Sequence, residues 1–493
     1  MLNKHSSKLQ RAEQMSLIPK TATEIVSLLR NNTVSPLDLL DELEKRIAQV
    51  DPVVNALPTL CFERARENAK QLMQKSVEQR GCLCGLPVAV KDLDPVAGVR
   101  TTWGSPVYKD FVPTASDCMV DVIEANGGIV YAKTNTPEFG AGANTFNEVF
   151  GATVNPWNTS KSCAGSSGGS AVALATGMAW LATGSDLGGS LRNPASFCSI
   201  VGFRPSPGRV AHGPSAPGAY PADMGGMPNT PFSVSGPMAR NVPDLALFLD
   251  GMTGHHPSDT LSMPKERGDY VDAIESGWKP KRVAYSADFG VTPVDPEIAR
   301  ITEQAAQHFA DMGATVENAH PDFSDMEEIF QVNRAMAFYV GSKKLLENKR
   351  DMLKPELIWN IEKAREVSMD DIERVELLRG KYIQRAVEFF GKYDLLLSPA
   401  TIVPPYPVEQ RFVESCNGVE FSNYVQWLSI AYAITNTGFP AISVPAGFTD
   451  DQLPVGLQIC AGPRAEARLL CAAAAYEQAS GLAQKVPIDP VKG

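Results

Sequence analysis

AGSSGGSAVALATGMAWLATGSDLGGSLRNPASFCSIVGFRP, running from Ala164 to Pro205, is the stretch around which the rest of the chain is organised. Two glycine-serine clusters, Gly165-Ser166-Ser167-Gly168-Gly169-Ser170 and Gly188-Gly189-Ser190, flank a run of small apolar residues. Glycine lets the backbone approach a ligand closely and adopt φ > 0, so such loops can aim several N–H groups at one point. Hydroxyls set in these loops are candidate nucleophiles, and the amides beside them are candidate oxyanion donors. A flexible linker would be rich in Gly and Ser throughout. Ala171–Ala182 is apolar and compact instead.

The stretch resembles the signature of the amidase signature family: GGSSGGS, an Ala-rich helix, then G-[ST]-D-x-GGS-[IV]-R-x-P-A. Ala164 stands where a glycine is usual, Leu187 where Thr or Ile is common, and Leu191 where Ile or Val is common. An upstream segment, Gly85–Asp92 (GLPVAVKD), resembles the family's G-[VI]-P-[IV]-A-V-K-D, with Leu86 as its one departure. Thr101–Ser105, Ala132–Gly140 and Asn155–Asn158 also look like family segments, expected as loops and strand ends framing a site. Gly202–Ser206 resembles the family's GLKPT turn, and Phe439–Gly447 with Leu453–Gln458 its closing motif. The resemblance runs from about Thr21 to Gln478.

Composition bounds the alternatives. The chain has 493 residues, 44% hydrophobic and 20% charged, which is ordinary for a globular enzyme. A net charge of −11 and the lack of a basic arm argue against nucleic-acid binding. The longest apolar run is too short to span a bilayer, and the polar first twenty residues show no signal-peptide core. Nine cysteines, with only Cys82-Leu83-Cys84 closely spaced, suit free thiols in a reducing compartment. The expectation is a cytoplasmic enzyme, monomeric or homodimeric, without membrane or nucleic-acid partners. The asparagines of two N-x-[ST] matches, Asn31 and Asn158, then carry no glycan.

Along the chain, helices are expected from Thr21 or Thr23 to Leu29, from Ser35-Pro36 through Ile47, and over Phe62–Lys75. Leu86–Val90 reads as a short buried strand ending in Lys91 and Asp92. Residues 207–232 form a long Gly/Pro-rich segment including Gly225-Gly226-Met227-Pro228, the kind of loop that is functional or disordered. Gly236–Arg240 leads into a helix over Val242–Met252. A strand is expected over Val283–Phe289, a helix over Pro296–Gly313, and long charged helices over 325–391. Buried strands are expected at Asp394–Ser398, Ala441–Val444 and Val455–Cys460. The expected fold is α/β: one large domain over 1–493 with a central mixed β-sheet covered by helices on both faces. Within it lie N-terminal helices (about 21–75), a signature core (about 85–250), a pocket-covering helical region (about 325–391) and C-terminal strands (about 393–478).

A serine needs a base within hydrogen-bond reach to act as nucleophile. None of the six histidines (His5, His212, His255, His256, His308, His320) lies in or beside the glycine-serine loops. A lysine can serve if burial depresses its pKa. Taken alone, Lys91 at a strand end reads as a lysine paired with a carboxylate. The resemblance implies another role: Lys91 as base, Ser166 as bridging serine on a cis peptide bond, and Ser190 as nucleophile. It also implies an oxyanion hole from the N–H groups of Leu187, Gly188, Gly189 and Ser190, and no cofactor. Asp186 and Arg192 are expected to hold the glycine loop by charge-assisted hydrogen bonds, with Ser167 and Ser170 bracing it.

Competing readings are weaker. Gly165-x-Ser167-x-Gly169 fits a nucleophile elbow, but the elbow must follow a strand and Asn155–Lys161 is a poor one. Ser276-x-x-Lys279 precedes Pro280 in a polar turn. No phosphate-binding G-x-x-x-x-G-K-[ST] occurs, and no metal-ligand spacing is visible. The implied activity is hydrolysis of carbonyl C–N bonds in small-molecule amides and carbamates (urethanes). The alternatives are an amidotransferase subunit that works with partner proteins, or a small-amide amidase without carbamate activity.

Overall fold

The computed structural model describes residues 16–224, 231–265 and 268–493. Gly225–Pro228 therefore lie outside the described residues. Eleven strands form one sheet: β1 (Thr59–Leu60), β2 (Pro87–Lys91), β3 (Ile129–Thr134), β4 (Leu181–Asp186), β5 (Val201–Arg204), β6 (Val234–Ala239), β7 (Arg282–Tyr285), β8 (Thr315–Asn318), β9 (Leu395–Pro399), β10 (Ala441–Phe448) and β11 (Pro454–Ala461). Their spatial order is β1-β3-β2-β4-β6-β5-β10-β11-β9-β7-β8. β2 runs parallel to β3 and β4, and β7 to β8 and β9; the other pairings are antiparallel, so the sheet is mixed. Every residue of β2, β3, β5, β6, β9 and β11 is buried, which requires cover on both faces.

The N-terminal helices form for local reasons. Thr21 and Ser35 each make a reciprocal capping box, with Glu24 and Asp38, at the starts of Ala22–Arg30 and Pro36–Val54. Leu39, Leu40, Leu43 and Ile47 are buried on one face of the second. Helix Phe62–Met73 stops two residues before the expected Lys75, and Val242–Met252 has the expected bounds. The 325–391 region is three helices, Met326–Lys349, Pro355–Lys363 and Met369–Phe390.

Several expectations are corrected. Gly202–Arg204 is not a turn but part of β5, fully buried between β6 and β10. Gly236–Ala239, expected only to lead into the helix Val242–Met252, is strand, paired along its length with β4. The strand expected over Val283–Phe289 ends at Tyr285. Asn158–Ser162 does form a strand, pairing with Val154–Asn155 in a hairpin outside the main sheet. It gives no elbow, because Cys163, Ala164, Gly165 and Ser166 intervene before Ser167. Among the described residues no helix is long and apolar enough to cross a membrane. All nine cysteines are unpaired.

Candidate active site

The parallel strands β3, β2 and β4 end side by side at Thr134, Lys91 and Asp186, and the glycine-serine loops lie at these carboxyl ends. The helix after the first loop, Gly168–Ala175, is buried on all sides, as an apolar run without polar face requires. Its first turn presses on the chain: a Cβ on Gly169 would stand 2.3 Å from Asn135 N. The Gly165–Ser166 peptide is cis.

Lys91 is fully buried. Its Nζ donates to Ser166 Oγ at 2.8 Å, Ser167 Oγ at 2.9 Å and Ser185 Oγ at 3.0 Å. Burial pushes its pKa down to about 7, against the pull of the Asp94 and Asp186 carboxylates. The lysine-carboxylate reading belongs to its neighbour Lys133, whose Nζ lies 3.3 Å from Asp92. Lys133 also donates to Asp94 O at 2.7 Å and Thr101 Oγ1 at 3.0 Å. Two buried lysines on adjacent strands thus meet different fates: one is held in an ion pair, the other rests among hydroxyls.

Ser166 is 3% exposed. Gly140 packs against it so closely that a Cβ there would stand 3.2 Å from Ser166 Oγ. Ser190 is half-buried, and its carbonyl accepts from Ser167 N at 3.3 Å. Among the described residues no hydrogen bond joins Ser190 Oγ to Ser166 Oγ. Ser167 Oγ also meets the backbone of Ser185, and Ser170 Oγ donates to Thr183 O at 2.8 Å. Ser185 is a contact that sequence reasoning does not single out; its place in the Gly-Ser-Asp of the signature is the available signal.

Asp186 and Arg192 do hold the glycine loop. Arg192 Nε and Nη2 form a fork on the Asp186 carboxylate at 3.0 and 2.9 Å, with both side chains fully buried. Arg192 Nη1 reaches Ala431 O and Gln458 Oε1. Burial alone would raise the Asp186 carboxyl, yet the Arg192 and Arg204 guanidinium groups hold it well below the usual carboxylate range. One expected oxyanion donor is corrected here. Gly189 N–H donates to Asp186 Oδ1 at 3.0 Å, so it braces the loop and is not free for a ligand. Among the described residues, the N–H groups of Leu187, Gly188 and Ser190 have no such acceptor.

The helical region packs onto this loop. A Cβ on Gly188 would lie 3.4 Å from Phe330 and 3.5 Å from Leu428. Phe330 stacks on Tyr432 with ring centroids 4.3 Å apart and 4° between planes. On the Ser166 side, Phe139 precedes Gly140 and joins Trp103 and Tyr108 in an aromatic cluster on which Phe338 and Tyr339 pack.

Comparison with known proteins agrees with this architecture. The family model described as Amidase matches residues 38–470. An acylamidase of Rhodococcus erythropolis is 33% identical over 474 residues, covering 95% of this chain and 97% of the relative. A glutamyl-tRNA(Gln) amidotransferase subunit of Heliobacterium modesticaldum is 31% identical, covering 96% of this chain and 99% of its own. The crystal structure of a bacterial aryl acylamidase of the amidase signature family superposes with a TM-score of 0.86 at 28% identity, covering 94% of this chain and 97% of the other. The likeness extends over nearly the whole chain rather than the glycine-serine loops alone. This chain therefore belongs to the amidase family and is an amidase-signature hydrolase of amide C–N bonds.

Proposed function

We propose that this enzyme cleaves amides and carbamates carrying an aryl or otherwise apolar nitrogen substituent, through an acyl-enzyme on Ser190. The observation that carries the reading is Lys91, buried and hydrogen-bonded to three serine hydroxyls but to no carboxylate. In this mechanism neutral Lys91 takes the proton of Ser166 while Ser166 takes that of Ser190, whose Oγ attacks the carbonyl carbon. The Ser166–Ser190 hydrogen bond that this relay needs forms when substrate arrives, as catalytic hydrogen bonds commonly do. N–H groups of Leu187, Gly188 and Ser190 receive the oxyanion. The proton returns through Ser166 to the leaving nitrogen as the C–N bond breaks, and water then hydrolyses the ester.

A carbamate follows the same path. Expulsion of the amine leaves a carbonate ester on Ser190, and its hydrolysis gives alcohol and carbon dioxide. The aromatic cluster beside Gly140 and the Phe330–Tyr432 stack beside Gly188 support the preference for apolar substituents, as does the likeness to the aryl acylamidase. The test is kcat/KM for an N-aryl carbamate against the matching N-aryl amide. A carbamate value about a thousandfold lower, some 4 kcal/mol of transition-state stabilisation, would refute the carbamate reading.

The second reading, an amidotransferase component, rests on the full-length likeness to the Heliobacterium protein. It requires partner proteins for activity. Turnover of simple amides by the isolated chain would count against it.

A further inference from the structure

Asp94, Asp117 and His212 come from three separate stretches: the turn after β2, the N-cap of helix Cys118–Ala125, and the glycine-proline loop after β5. Their potential ligand atoms all lie within 4.8 Å of one another. Asp117 is well supplied, accepting from Met119 N, Gly213 N and Tyr220 OH, each at 2.9 Å, and a carboxylate's roughly four lone-pair sites leave it one more. Asp94 is not. It is 1% exposed, and its Oδ2 is buried without a hydrogen-bond partner. The nearby Lys133 ammonium bonds to the backbone carbonyl of Asp94 rather than to its carboxylate. His212 offers Nδ1, 3.5 Å from Asp117 Oδ2 and 3.2 Å from Ser235 Oγ, on a ring that is 42% exposed. Two buried carboxylates this close repel unless a positive charge lies between them. An unpartnered buried oxygen is itself a departure from the rule that such atoms are bonded.

We infer that Asp94, Asp117 and His212 form a binding site for a divalent transition-metal ion of the zinc type, independent of the hydrolytic reaction. One imidazole and two carboxylates are a donor set suited to such an ion. Bonds of about 2.0–2.2 Å place two donors on one ion no more than about 4.4 Å apart, so the three need close by at most a few tenths of an ångström. His212, the exposed member, supplies that by a small ring movement, and its exposure gives the ion a path in. The site would pin the loop that begins at Pro207 to the core three residues beyond Lys91. That loop carries Tyr220, whose ring packs 5.9 Å from Trp103 in the aromatic cluster beside the candidate active site.

Tag-free protein stripped with chelator and titrated with Zn2+ by calorimetry tests this, with Co2+ as a spectroscopic probe of the donors. The expected result is one ion per chain, with binding lost in both Asp94→Asn and His212→Ala and slowed amide hydrogen exchange over 207–224 on Zn2+ addition. Far-UV circular dichroism checks that each variant folds. His212→Ala changes an exposed side chain and keeps the test open if Asp94→Asn does not fold. Absence of stoichiometric binding, or binding that survives in folded His212→Ala, would overturn the inference.

Discussion

Lys91 Nζ stands 2.8 Å from Ser166 Oγ, and the charge that would normally accompany a buried lysine is spent one strand away, on Lys133 and Asp92. This division lets Lys91 lose its proton near neutrality while the sheet keeps a compensated ion pair beside it. Activity should therefore rise with pH through about 7, as Lys91 becomes neutral. Between that value and the ordinary lysine pKa of about 10.4, the unfolded chain holds the extra proton, so this group makes the native state more stable as pH rises. A kcat/KM profile flat from pH 5 to 9 would contradict this assignment of the base.

Ser190→Ala should abolish both turnover and covalent labelling by a fluorophosphonate, because the labelled oxygen is the proposed nucleophile. Mass spectrometry of the labelled peptide decides the point. Label retained in the variant and mapped to Ser167 would reinstate the elbow reading.

Lys91→Ala and Ser166→Ala should each lower kcat severely, and the double variant should be little worse than the more severe single one. Groups that act as a unit are non-additive. Ser185→Ala removes only one of three acceptors of the Lys91 ammonium and should cost less than Lys91→Ala. Multiplication of the Lys91 and Ser166 defects would show that the two work independently.

Arg192→Met should destabilise the fold by about 3–5 kcal/mol, because it breaks a buried pair and leaves Asp186 short of its main compensating charge. Arg192→Lys should not restore the loss, since an ammonium cannot form the two-pronged contact. Thermal unfolding of the three proteins measures this.

The legible parts of the molecule are those where local chemistry and packing agree. Capping residues at Thr21 and Ser35 and the apolar stripe of Leu39, Leu40, Leu43 and Ile47 place the first helices. Lys91, Ser166, Asp186 and Arg192 all stand out in the signature motifs, and the structure brings them to one end of three strands. Val201–Arg204 and Val234–Ala239 do not read as strands, because Gly202, Gly236 and Pro237 are turn formers locally; their pairing is imposed by distant partners. The engagement of Gly189 by Asp186 is equally invisible, since nothing in a run of glycines says which N–H turns inward. The gathering of Asp94, Asp117 and His212 depends on the path of a loop that periodicity does not describe.

The Arg192 guanidinium that locks the glycine loop also reaches forward to Ala431 and Gln458. The proposed catalytic groups are all made within the first two hundred residues, but the lock is anchored on chain that is synthesised last. A growing polypeptide therefore carries Lys91, Ser166 and Ser190 for most of its synthesis without the support that fixes their loop. The anchoring of that lock is complete only once the strand bearing Gln458 inserts beside β9 and β10.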